Sequence, residues 1–154
     1  MELKFEGNVL YVIGDVTEDF NADHLVIPKG AIIDIDLGGV SSMNSCGVRE
    51  WVEWIENNNF HPTYLNCTHS IVLQFNMVSE FLSSGARVAS FQVPMYCGVC
   101  RKREIRLLKE GIDYKAGEHY EMGSIHCEKT ECGMKLNVDP DSYFYFLEMM
   151  QSNT

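Results

Sequence analysis

The sequence is short of basic residues: twelve Lys and Arg stand against 22 Asp and Glu, a formal net charge of −10 with a pI near 4.8. A field of that sign repels phosphate backbones and anionic lipid unless the charge is unevenly spread. Proline is scarce at four residues and glycine stops at 12, while 45% of the chain is hydrophobic. That excludes a low-complexity, disordered composition and supplies material for a core. No apolar stretch approaches the roughly 18 residues of a membrane span. The start, Met1 to Glu6, carries acids where a signal peptide would have basic residues before an apolar run. These absences predict a cytoplasmic protein without membrane insertion. A length of 154 residues allows one domain, or one of about 100 residues with a small appendage.

The charge is unevenly spread. Residues 1–94 hold four basic and twelve acidic side chains, a net of −8, whereas residues 95–154 hold eight and ten, a net of −2. Five of the six cysteines lie beyond residue 60, four of them in the nearly neutral part. In a reducing compartment such clusters more often hold metal than form disulfides. Two halves of different chemistry are expected.

Hydrophobic patterning predicts an α/β fold. Residues 2–13 read as a hairpin broken at Glu6-Gly7-Asn8 and ended by Gly14-Asp15, followed by a polar stretch with room for a short helix from Glu18 to Leu25. Ala31 to Leu37 reads as a strand with Ile33, Ile35 and Leu37 on one face and Asp34 and Asp36 on the other, stopped by Gly38-Gly39. Val48, Trp51, Val52 and Ile55 then recur at helical spacing after the cap-forming Asn44 and Ser45. A strand at Tyr64–Cys67, a second helix from Ser70 to Ser84 and a strand from Ala86 to Val93 complete the first unit, with Pro94 as its end. Ile71, Phe75, Val78 and Leu82 form one stripe of the second helix, and Leu73, Met77 and Phe81 a second apolar face roughly opposite. Something should cover that face: the C-terminal segment, a partner or a second copy. Alternating strands and helices imply a mixed sheet with helices packed on it.

That order, together with the string from Ile33 to Val48, resembles the STAS domain, the fold of the anti-sigma factor antagonists and of the cytoplasmic tail of sulfate transporters. The family pattern is a buried strand of aspartate and aliphatics, a loop, then Asp-Ser-Ser/Thr-Gly opening a helix. The resemblance covers residues 1–94. It implies a protein-interaction module in which phosphorylation of the last Ser or Thr before the Gly switches partner binding. Here Asn44 replaces the aspartate, Ser45 matches the preceding Ser, Cys46 stands at the phosphoacceptor position and Gly47 matches the Gly. A thiol is not a substrate for an ordinary Ser/Thr kinase, so the resemblance implies the fold and a partner surface around Asn44, Ser45, Cys46, Gly47 and Arg49, and leaves the phospho-switch degenerate. Modification of Ser45 and a redox role for Cys46 stay open.

Cys97-Gly98-Val99-Cys100 is C-x2-C, and Cys127 to Cys132 is C-x4-C. Two tight cysteine loops deliver four soft ligands in pairs, as structural Zn2+ requires, with no open position for a catalytic water. Residues 95–139 thus resemble a zinc ribbon, in which the segment from Arg101 to Leu108 forms a strand returning toward the second loop. The longer second spacing leaves open whether His126 replaces Cys127. A thioredoxin-type reading wants a helix at the first pair, where a basic, strand-like run stands. A zinc deaminase wants its His-x-Glu element before the cysteine pair, and here the order is reversed.

Asp139-Pro140 begins a C-terminal helix over 140–154 whose aromatics lie nearly all round it, so it should pack on the ribbon and on the second face of the Ser70–Ser84 helix; a homodimer contact is the alternative. The function expected is a non-enzymatic protein-interaction module in a regulatory assembly, with a structural zinc and no catalytic residue. The alternative is a nucleic-acid-binding zinc ribbon, prompted by Arg101, Lys102, Arg103 and Arg106, which as strand residues would divide between two faces. Nucleic acid is the less favoured partner because the neighbouring unit is at −8. His24, His61, His69 and His119 are scattered without a nucleophile, which speaks against an enzyme.

Overall fold

The computed structural model describes residues 1–82, 85–123, 125–127 and 133–150. Among the described residues, nine strands form two sheets. β1 (Glu2–Glu6) and β2 (Val9–Val16) make the expected hairpin, and β2 then pairs in parallel with β3 (Ile32–Met43). The 15 residues between hold turns instead of the short helix expected at Glu18–Leu25, the first closed by the Phe20 N–H on the Thr17 carbonyl. α1 (Ser45–Asn57) leads to β4 (His61–Leu65), and α2 (His69–Met77), with a 3-10 turn at Ser79–Leu82, leads to β5 (Arg87–Val88). The sheet runs β1-β2-β3-β4-β5, antiparallel at the first pair and parallel thereafter. The mixed sheet with helices packed on it is therefore as predicted. Sequential parallel strands joined by right-handed crossovers put the helices on one face. That face is apolar: Leu10, Val12, Ile33, Ile35, Leu37 and Tyr64 are all buried on it.

β3 does not stop at Gly38-Gly39. A side chain at Gly39 would meet the Val12 carbonyl oxygen and Ile13 Cγ1 at 3.0 Å, so the glycine lets β2 and β3 stay close where the register shifts. The strand continues six residues past Leu37, to Met43, and carries the chain to the α1 start. β4 begins three residues earlier than predicted.

The strand expected over Ala86–Val93 is two strands. β5 ends at Val88; β6 (Ser90–Tyr96) runs through Pro94 and belongs to a second, antiparallel sheet with β7 (Arg103–Lys109), β8 (Ile125–His126) and β9 (Gly133–Leu136), in the order β7-β6-β9-β8. β7 pairs on one side of β6 and β9 on the other, which corrects the path expected for Arg101–Leu108. The C-terminal helix is two short ones, α3 (Pro140–Tyr143) and α4 (Tyr145–Met149), broken at Phe144; residues 151–154 lie outside the described residues.

Those short helices pack on α2 and β6. Asn76 donates to the Tyr143 carbonyl at 2.9 Å and accepts from the Phe146 N–H at 2.8 Å, while the Tyr143 hydroxyl donates to the Gln92 carbonyl at 2.6 Å. Phe146, fully buried, lies between Phe75 of α2 and Phe91 of β6, with ring centroids 5.4 and 5.0 Å away. One buried apolar cluster thus includes residues of both sheets and of the terminal helices. Among the described residues no helix is long and apolar enough to cross a membrane.

His119 ties the 110–123 loop to α4. Its Nδ1 pairs with Glu148 Oε1 and its Nε2 lies 3.4 Å from Glu121 Oε1. The hydrogen bond to Glu148 is the main cause that raises its pKa above 6.5. A raised folded-state value means that the contact stabilises fully below the unfolded pKa and that its contribution fades as pH rises from about 6.5 through the folded pKa. In a Glu148→Gln variant the NMR titration midpoint of His119 should fall toward the ordinary imidazole value. An unchanged midpoint would dismiss the pairing.

Candidate functional site

Two places carry the chemistry that the sequence singles out. The first is at the end of β6. Cys97 follows Tyr96 directly and is buried; the chain turns back so that the Cys100 N–H donates to Cys97 Sγ at 3.3 Å and the Cys97 N–H donates to the Lys102 carbonyl at 2.9 Å. Arg101, at φ 56, takes the left-handed conformation that closes this turn. β9 pairs with β6 at Met95 and Tyr96, and β8 pairs with β9, so Cys127, one residue past β8, arrives beside the first pair. The sulfurs of Cys97, Cys100 and Cys127 all lie within 4.8 Å of one another, Cys97 and Cys127 buried and Cys100 partly so.

This donor set fits a soft, tetrahedral ion. A Zn–S bond of about 2.3 Å puts the sulfurs of a tetrahedron about 3.8 Å apart, a spacing compatible with three sulfurs all within 4.8 Å of one another. Three close cysteines could thus hold a metal ion. The fourth expected ligand, Cys132, lies outside the described residues, as does the His126 side chain; Cys127 itself is part of the cluster. The basic run divides as its strand geometry requires: Arg103 is on the exposed face of β7, while Arg106 is on the other face, 3.6 Å from Glu104.

The second place is the start of α1. Asn44 is its N-cap, with Oδ1 accepting the Gly47 N–H at 2.7 Å, and its Nδ2 donates to Glu18 Oε2 at 3.3 Å. Asn44 therefore does local structural work, a role that Asn and Asp fill about equally well. Asn44, Ser45 and Arg49 are exposed and Cys46 is half-buried; Gly47 is buried against β2. Backbone and Asn44 hydrogen bonds hold the Glu18 carboxyl below its ordinary pKa, so a negative charge already sits beside this helix end.

The expected second apolar face is only partly there. Leu73 and Met77 are exposed and line an open groove of about 730 Å³, bordered on the other side by Val138, Tyr143 and Tyr145. Phe81 is not on it. The α-helix ends at Met77, Val78 is extended, and the following 3-10 turn swings Phe81 inward, where its ring packs 4.8 Å from Phe75 and 5.5 Å from Tyr64.

One buried thiol escaped the sequence reading. Cys67, fully buried at the junction of β4 and β6, bonds through its N–H to the Ser90 carbonyl and through its carbonyl to the Gln92 N–H. Burial pushes its thiol pKa well up, which leaves it inert and structural. His24 and His69 lie at the surface and His61 is half-buried, each apart from the cysteine cluster's three members. The chain matches no protein-family model, and no curated protein and no solved structure is significantly similar to it.

Proposed function

We propose that the chain is a non-enzymatic protein-interaction module of the kind that anti-sigma factor antagonists represent, carrying a structural zinc on Cys97, Cys100, Cys127 and Cys132. The observation that carries the reading is the α1 start: a capped helix end whose Ser45 and Arg49 face solvent while Gly47 locks the helix onto the sheet. The resemblance places the partner surface of such modules at this point of the motif. Cys46 at the phosphoacceptor position makes binding constitutive toward kinases that act on hydroxyls. The cysteine-only ligand set supports zinc over harder ions, which prefer oxygen.

The test is capture from the native cell extract. A partner held by the wild-type chain should be lost by about tenfold with Arg49→Glu, since reversing one interfacial charge costs on the order of 1–2 kcal/mol. It should be retained with Lys115→Glu, an exposed position remote in sequence from α1. A set of captured proteins that is indifferent to both changes would remove the α1 surface from consideration.

A further inference from the structure

β7 is the outer strand of the second sheet, and the direction of its backbone groups follows from its neighbours. In an antiparallel pair, residues alternate between those that bond across the ladder and those whose N–H and C=O both point away. On β6, the Pro94 carbonyl accepts from the Asn137 N–H and the Gln92 N–H donates to the Cys67 carbonyl, so Pro94 and Gln92 point away from β7. Their partners in register are Ile105 and Leu107. These residues and Arg103, in the same phase, direct their N–H and C=O groups to the open side of β7. Lys109 is in that phase too, and its N–H is closed by the Asp113 carboxylate at 2.8 Å, as the phase requires. Along Arg103–Leu108 no backbone group bonds to any described residue outside the β6 ladder.

The side chains of these same residues are exposed. Ile105 is 64% and Leu107 40% accessible, and Arg103 and Lys109 flank them on the solvent face, with no ion pair to either among the described residues. Tyr96 and Lys135 extend the face in register with Arg103. At every second position β7 thus reads cation, aliphatic, aliphatic, cation, on a chain whose net charge is −10.

We propose that this open edge binds an extended peptide segment of acidic and aliphatic residues in alternation, which adds as a further strand beside β7. Backbone groups at Arg103, Ile105 and Leu107 supply the hydrogen bonds. Carboxylates two residues outside a pair of aliphatics meet Arg103 and Lys109, with the aliphatics on Ile105 and Leu107. Strand addition draws affinity from main-chain bonds and specificity from alternate side chains. A nucleic acid would use the cations and leave the open backbone groups and both aliphatics without partners. The proposal rests on the interaction-module reading and gives it a second, chemically defined surface.

The probe is a synthetic peptide with the pattern acid-Thr-Val-Thr-Val-Thr-acid, compared with its lysine-flanked counterpart and with a version carrying proline at both valines. With the zinc-loaded full chain followed by NMR, the acidic peptide should slow amide exchange at Ile105 and Leu107 by at least about tenfold at saturation and leave Glu104, Arg106 and Leu108, already bonded to β6, unchanged. The proline version should fail. Arg103→Glu combined with Lys109→Glu should exchange the preference of the two flanked peptides, an effect that simple destabilisation does not produce. No saturable change up to millimolar peptide, protection of Ile105 and Leu107 in the free chain, or binding of oligo-dT in place of the peptide would each overturn the proposal. None of these arms touches α1. If the peptide fails while Arg49→Glu still costs the extract partner, the edge proposal falls and the module reading stands; the reverse pattern removes only the α1 surface.

Discussion

Cys97→Ser, or zinc removal by a strong chelator, should unfold the 97–103 turn and the β8–β9 hairpin while the five-stranded sheet stays folded. The asymmetry follows from how each part is held. β8 has two residues, β9 four, and β9 meets β6 at only two register pairs. Of the β9 residues, Met134 is buried and Leu136 half-buried, far too little apolar surface to offset the chain entropy of ordering the loop. A bound Zn2+ contributes on the order of 10 kcal/mol in small cysteine sites, comparable to the whole stability of an ordinary domain. The first sheet needs none of this. Leu10, Val12, Ile35, Trp51 and Phe75 are fully buried with partners on β2, β3, α1 and α2. Phe146 and Phe91 join it through the aromatic cluster, which includes Phe75 of α2.

Hydrogen exchange with and without chelator is the measurement. The bonded amides of Cys97, Cys100 and Asn137 should lose protection by several orders of magnitude, and those of Leu10, Val12 and Ile35 should keep theirs. Metal analysis of protein purified without chelator should return one zinc per chain. Less than about half an equivalent in fully folded protein, with the same protection pattern before and after chelation, would sink the metal reading.

The parts of this fold that were legible in the sequence are those decided locally. Ile33, Ile35 and Leu37 alternate with aspartates because one face of β3 is buried, and the Asn44 cap is written by a side chain three residues from the N–H it accepts. What was not legible depends on neighbours. Gly38-Gly39 reads as a stop, yet it keeps a strand going because Ile13 and Val12 crowd it from β2. Pro94 reads as a strand end, yet its carbonyl faces Asn137, so the missing N–H falls on the β9 side, just past the last register pair at Met95. A 100° helical step puts Phe81 with Leu73 and Met77, yet the helix ends at Met77 and the step no longer applies. The cysteine cluster was legible as spacing, while its assembly needed β9 to cross to the far side of β6, a non-local pairing.

Gly47→Ala should destabilise the chain by about 3 kcal/mol, although it adds one methyl group to a helix that alanine would otherwise favour. A Cβ at this position would lie 2.2 Å from the Val16 carbonyl oxygen and 2.6 Å from its carbon, both backbone atoms that no rotamer change can move. The same carbonyl accepts the Asn44 N–H at 3.2 Å, so the end of β2 is clamped against the helix start from two sides. Relief requires α1 to lift, which withdraws Val48 and Trp51 from the core and strains the buried bond from Trp51 Nε1 to the Tyr64 hydroxyl at 3.1 Å. For a chain of this size 3 kcal/mol is roughly a 10 °C fall in Tm. Cys46→Ser, at the half-buried neighbour, should cost less than about 1 kcal/mol. Denaturant melts of the two variants therefore separate two explanations of the motif's glycine. A large loss for Gly47→Ala assigns it to packing and leaves Ser45 and Arg49 as the residues free to meet a partner. A loss near that of Cys46→Ser would mean that α1 rides loosely on β2, and the surface it presents would then not be fixed by the fold.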